Sequence, residues 1–157
     1  MYIGEKWIST DVDRNLRNAD FYNSKEYQRL LNICTERVQR WVENNSDLIG
    51  ALKSRYSPAA FGARQIAYAE CGIGTYINKI QTLGRYTYKN ELRKQVAEAL
   101  SAEYANLPEF ARTAYSLDDY VANYANEIMK KNKNEINRGA SAWAYSEMRR
   151  ILDRALW

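Results

Sequence analysis

Arg149, Arg150 and Arg154 fall within about three helical turns of Trp143 and Tyr145, with Trp157 just beyond. Arginine beside tryptophan and tyrosine is the composition of energetic anchors at protein interfaces. The planar guanidinium pairs with carboxylates and stacks on rings, and the rings bury large apolar area while keeping a polar tip. Trp143, Tyr145, Arg149, Arg150 and Arg154 are therefore the candidate contacts for a protein partner; packing at a core edge is the other use of the same side chains. Two further clusters are basic. Arg85, Lys89 and Arg93 recur at i, i+4 and i+8 with Lys94, Tyr86 and Tyr88 interleaved, and Lys130, Lys131, Lys133 and Arg138 sit in the polar run KKNKNEINRG. Cations beside rings can grip phosphate and stack on bases, or they can cover the edge of a core with their methylene stems.

Acid–base chemistry has little to draw on. The sequence has no histidine, which removes the Ser-His-Asp and Cys-His arrangements, the histidine general base and every imidazole zinc site. The carboxylate pairs Asp11/Asp13 and Asp118/Asp119 stand at expected helix starts, where acids cap unpaired N–H groups and complement the dipole. Cys34 and Cys71 are 37 positions apart in apparent helices, and they read as reduced core or near-core thiols of a cytoplasmic protein. The expectation is a protein without catalysis, metal or cofactor, with paired-carboxylate catalysis and carboxylate-bound metal as the open chemistries.

The stretch AECGIGTYINKIQ, residues 69 to 81, raises a separate question. A dinucleotide loop needs its glycines after a strand, and here Gly72 and Gly74 follow a helix while Ile77 holds the third glycine position. Over residues 58 to 83 the pattern resembles a helix-turn-helix motif, with a glycine-containing turn and a second helix presenting Thr75, Tyr76, Asn78, Lys79 and Gln81. That resemblance implies a DNA-binding regulator using these residues together with Arg85, Lys89 and Arg93. Against it, the second helix carries a single cation, Lys79, before Arg85. A left-handed glycine cap at Gly72 also explains the corner without any ligand.

The elements that must position these residues are helical nearly throughout. In KEYQRLLNICTERVQRWVEN, Tyr27, Leu30, Leu31, Cys34, Val38, Trp41 and Val42 form one stripe, with Asn23 and Glu26 reading as the cap. Thr10 with Asp13 predicts a short earlier helix, and Ser46 with Asp47 a later one carrying Ile49, Leu52 and Tyr56. Ser57-Pro58 opens a helix to Cys71, because proline at the first helical position forfeits an N–H that had no partner. A helix from Thr75 ends near Gly84, and another runs from Thr87 to Asn106. A short piece holds Phe110 and Ala114, and Ser116 caps the region 117–157, which reads as two helices or one with a weak middle around Asn132, Asn134 and Gly139. Residues 1–9 read as an extended arm.

The 157 residues are enough for one domain that buries roughly 70% of its unfolded surface, and the fold class is an all-α, single-domain bundle of six to eight helices with short connections. No run of about 18 apolar residues marks a membrane span. The net charge of +4 is evenly spread, with 9 basic against 8 acidic residues in 1–56, 6 against 4 in 57–107 and 8 against 7 in 108–157. Without a strong positive field, a protein partner is favoured over bare nucleic acid. The expected role is an inhibitor, adaptor or regulator occupying the surface of a larger machine, of the kind that phages and other mobile elements encode. The alternatives are the DNA-binding regulator, an enzyme working through paired carboxylates, and a homo-oligomer built on tyrosine-rich amphipathic helices.

Overall fold

The computed structural model of the protein describes residues 1–47 and 56–157. Among them are a two-stranded antiparallel hairpin, β1 (Tyr2–Ile3) with β2 (Lys6–Trp7), and seven α-helices. These are α1 (Val12–Asn18), α2 (Lys25–Asn44), α3 (Pro58–Glu70), α4 (Gly74–Ala105), α5 (Glu109–Ala114), α6 (Leu117–Lys131) and α7 (Lys133–Leu156). The all-α architecture with short connections is as the periodicity predicts. The helix expected after Ser46, with Ile49 and Leu52, lies outside the described residues.

Where the sequence offers an unambiguous cap, the helix starts there. Ser57 accepts from the Ala60 amide ahead of Pro58, and Ser116 accepts from the Asp119 amide. Where two cap-competent residues adjoin, the second one is used. Ser24, not Asn23, caps α2 by accepting from the Tyr27 amide, while Asn23 donates to Asp20. Asp11, not Thr10, caps α1, and the Thr10 hydroxyl donates to Glu135 instead.

The expected break at Gly84 does not occur. The helix beginning at Gly74 continues for 32 residues, and a new start at Thr87 is absent. The reason lies in packing: a Cβ on Gly84 would come 2.0 Å from Cη2 of Trp143. Glycine here admits an indole against the helix backbone, and its low helix propensity is overridden by that contact. Region 117–157 resolves into two helices joined at Asn132, whose side-chain amide donates to the Ile128 carbonyl.

The chain groups into two compact units, with α4 and α7 dividing at residues 84/85 and 142/143. One unit comprises residues 1–19 and 85–142. Its core joins Ile3, Ile8, Val12 and Leu16 to Tyr88, Leu92, Val96, Leu100, Ile136 and Ala140. The fully buried Asn15 is satisfied on every side, its amide donating to Ser9 and Asp11 carbonyls and its oxygen accepting from Gln95. The Tyr88 hydroxyl donates to the Thr10 carbonyl at 2.6 Å.

The second unit comprises residues 20–84 and 143–157. The α2 stripe is buried at Tyr27, Leu30, Leu31, Cys34, Val38 and Trp41, against alanines of α3, Ile73, Ile77 and Ile80, and Ile151, Leu152 and Leu156 of α7. Two polar networks stiffen it. Tyr27 donates to the buried Glu147 carboxylate at 2.5 Å, and Arg150 donates to both partners at 2.7 Å. Burial, reinforced by that carboxylate, pushes the Tyr27 phenol well above the usual tyrosine range. Arg64 grips Asp153 through Nε at 2.5 Å and Nη2 at 3.2 Å, with both side chains largely buried.

Candidate functional site

Helix α3 is amphipathic in an unusual sense. Its inward face carries Ala60, Ala63 and Ala67 at i, i+3 and i+7, all buried, with Arg64 beside them. The large apolar residues of the same helix point away: Phe61 is 53% exposed, Ile66 45% and Tyr68 36%. Small residues let α3 approach its neighbours closely, so the bulk of the apolar area on this helix is left facing out.

Phe61, Gln65 and Tyr68 recur at i, i+4 and i+7 and form one wall of a groove. The opposite wall is a second helical stripe on α7, made of Tyr145, Met148, Arg149 and Leu152 at i, i+3, i+4 and i+7. Arg64 completes the lining, and the groove encloses about 520 Å³. Leu152 is buried at the floor, and Tyr145 stands 57% exposed at the rim. Arg64 is held by Asp153 and its guanidinium lies 5.4 Å from the Trp157 ring centroid, so this cation is fixed within the wall. Arg149 reaches the same carboxylate only at 3.8 Å and is half exposed. It leaves charge available at the rim.

The five residues of the arginine–aromatic cluster take different places. Tyr145 and Arg149 line the groove, and Arg154 lines a neighbouring depression with Tyr56 and Trp157. Trp143 sits in the core, where its Nε1 donates to the Tyr22 hydroxyl at 3.0 Å and its ring packs edge-on to Phe21. Arg150 serves the Tyr27–Glu147 network, with its guanidinium 5.2 Å from the Tyr22 ring centroid. Phe61 and Tyr68 were not anticipated. Their signal is in the sequence nonetheless: alanines on one face of PAAFGARQIAYAE and aromatic residues seven apart on another.

The residues of the helix-turn-helix resemblance also divide. Gly72 is left-handed at φ +63°, as a glycine cap requires, and Arg37 of α2 donates to its carbonyl. Ile73, Ile77 and Ile80 are buried as expected. Of the outward positions, Tyr76 is covered by Arg37 at 4.9 Å and Gln81 donates to the Ala144 carbonyl at 2.8 Å. Thr75, Asn78 and Lys79 remain exposed. Arg85, Lys89 and Arg93 belong to the other compact unit, all exposed, and Arg93 donates to Asn126 at 2.6 Å.

No family model, curated protein or solved structure matches the chain. Among the described residues, no helix is long and apolar enough to cross a membrane, and no three cysteine, aspartate or glutamate side chains gather as a metal site.

Proposed function

We propose that the protein is a non-catalytic, cytoplasmic binding protein whose groove between α3 and α7 receives an acidic amphipathic helix of a protein partner. The observation that carries this reading is the inversion of α3, with alanine buried and Phe61 and Tyr68 exposed across the groove from Tyr145. Exposed aromatic area gathered around a groove is costly in water and marks interaction surfaces. The shape fits helix-in-groove recognition, in which apolar anchors spaced by helical turns fill a trough. The charge fits as well, since Arg149 lies beside the apolar floor and is complementary to a carboxylate flanking the anchors. The cytoplasmic part of the reading rests on Cys34 and Cys71 being unpaired thiols.

The test is photo-crosslinking in cells with a benzophenone amino acid at position 145, and at position 78 as a control. A single adduct from position 145, lost on Phe61→Ala and absent from position 78, supports the assignment. An adduct from position 78 alone, or one from position 145 that Phe61→Ala leaves intact, overturns it in favour of the α4 surface. An adduct with a second copy of this chain makes the groove a self-association site.

A further inference from the structure

The two basic clusters separated by some forty residues in sequence converge in the unit formed by residues 1–19 and 85–142. Three helical stripes meet around a depression of about 440 Å³. Tyr86, Lys89 and Arg93 come from α4, Asn126 and Lys130 from the end of α6, and Lys133 from the start of α7. Four cations thus line one recess, and no acidic residue is among its lining residues. Lys89, Lys130 and Lys133 make no ion pair among the described residues. Like charges drawn together repel one another, and an anion in the recess would relieve that repulsion. Asn126 accepts from Arg93 at 2.6 Å, which pins the guanidinium and leaves its other N–H donors open. The Tyr86 ring at the rim is 67% exposed.

We infer that this recess binds single-stranded nucleic acid, with one nucleotide seated in it, consecutive phosphates on the lysines and Arg93, and a base stacked on Tyr86. Cations tracking a backbone together with an exposed ring for a base face are the two parts of such a site. A duplex is disfavoured because it offers no unstacked base to the ring, and a concave recess cannot enter a groove as a protruding helix does. A free phosphate is disfavoured because it would leave the ring without a role. The inference is independent of the groove between α3 and α7, which shares no residue with it.

Fluorescence anisotropy of the full chain with a labelled mixed-sequence strand of about 12 nucleotides tests it, at salt from about 50 to about 200 mM. The strand is expected to bind in preference to a duplex of the same sequence, and log K to fall against log salt with a slope of about −2 to −3, since each neutralised phosphate of a single strand contributes about −0.7. Lys89→Ala with Lys130→Ala is expected to make that slope shallower by about 1.4. Tyr86→Ala is expected to weaken binding about 5- to 100-fold with the slope unchanged. All three side chains are exposed, so far-UV circular dichroism should match the parent; should the double variant lose helicity, Lys133→Ala alone, with about −0.7 of slope removed, takes its place. No binding at the lowest salt, equal binding by the variants, preference for duplex, or displacement by tripolyphosphate as effective as by unlabelled strand would each overturn the proposal.

Discussion

Alanine replacing glycine inside a helix ordinarily stabilises it, by about 1 kcal/mol in an exposed interior. At Gly84 the opposite sign is expected. A Cβ there would lie 2.0 Å from Cη2 and 2.5 Å from Cζ3 of Trp143, against the 3.5–4.0 Å or so at which carbons attract. The ring must move well over an ångström, and it is not free to do so. Its Nε1–H is committed to Tyr22 at 3.0 Å and its edge to Phe21. Overpacking of this kind costs about 1–3 kcal/mol, and loss of the Tyr22 hydrogen bond adds about 1. Set against the propensity gain, Gly84→Ala should be destabilising by about 1–3 kcal/mol, a fall in Tm of roughly 3–10 °C for a chain of this length. Gly62, inside α3 with nothing within 4 Å of an added Cβ, supplies the control. There the same substitution should raise stability by about 0.5–1 kcal/mol. Thermal and urea unfolding followed by far-UV circular dichroism reads both. Shrinking the ring should rescue the clash, so that Gly84→Ala combined with Trp143→Leu costs at least 1 kcal/mol less than the two changes summed, roughly. A Gly84→Ala protein as stable as Gly62→Ala, or strictly additive effects in the double variant, would refute the argument that α4 is uninterrupted because Trp143 occupies the glycine's face.

The Arg64–Asp153 pair makes a second prediction. Arg64→Met strands a carboxylate that is 18% exposed, with Arg149 at 3.8 Å as its remaining cation, so the loss should fall near or just below the 3–5 kcal/mol or so typical of a broken buried pair. Replacing both partners by Met and Leu should recover most of it in the same urea titration, and a double variant as unstable as the single one would show that packing, not the stranded charge, sets the cost. On the alkaline side, burial raises Cys34 from 9.0 to about 11 and Tyr88 from 10.0 to about 12. Both groups are protonated in folded and unfolded chains below these ordinary values, and between the ordinary and folded values the unfolded chain alone releases the proton. Their contribution to stability is therefore intact at neutral pH, begins to fall above about pH 9 as Cys34 titrates in the unfolded chain, and falls further between about pH 10 and 12 with Tyr88. Cys34→Ala should remove the first part of that decline in urea midpoints measured across pH, and an unchanged slope from pH 9 to 10 would count against it.

How much of this was legible in the sequence follows from the range of the interactions involved. The α2 stripe and the Ser57-Pro58 start are local patterns, and both are realised at the expected positions apart from the half-buried Val42 at the end of the stripe. The caps at Asn23 and Thr10 were off by one residue because adjacent cap-competent side chains compete, and the loser's fate was decided by Asp20 in one case and Glu135 in the other. Gly84 looked like a stop because its local meaning is low helix propensity, whereas its function in the fold is set by Trp143, 59 positions away. In the arginine–aromatic cluster helix phase separates core from surface: Trp143 and Tyr145 are two residues apart on α7, about 200° around the helix, so one is buried and the other exposed. The basic recess was visible only as two unrelated clusters, since nothing local says that residues 86–93 and 126–133 meet.

The proposed groove rests on the orientation of α3, with its alanines inward and its aromatics outward. Had Phe61, Ile66 and Tyr68 been needed for stability, rotating α3 would have buried them, and each fully buried large side chain contributes roughly 1.5–3 kcal/mol. The observed orientation instead buries Ala60, Ala63 and Ala67 and the Arg64 stem, forgoing that gain. What holds the helix in this orientation is specific: the Arg64 fork on Asp153, and at its C-terminal end the Trp41 indole donating to Glu70 at 2.6 Å. Both contacts are directional, and both would be lost on rotation. A helix locked by polar contacts with its larger apolar residues outward is a surface presented at a cost in stability, and a partner that covers the groove would recover the apolar burial the folded chain leaves unused.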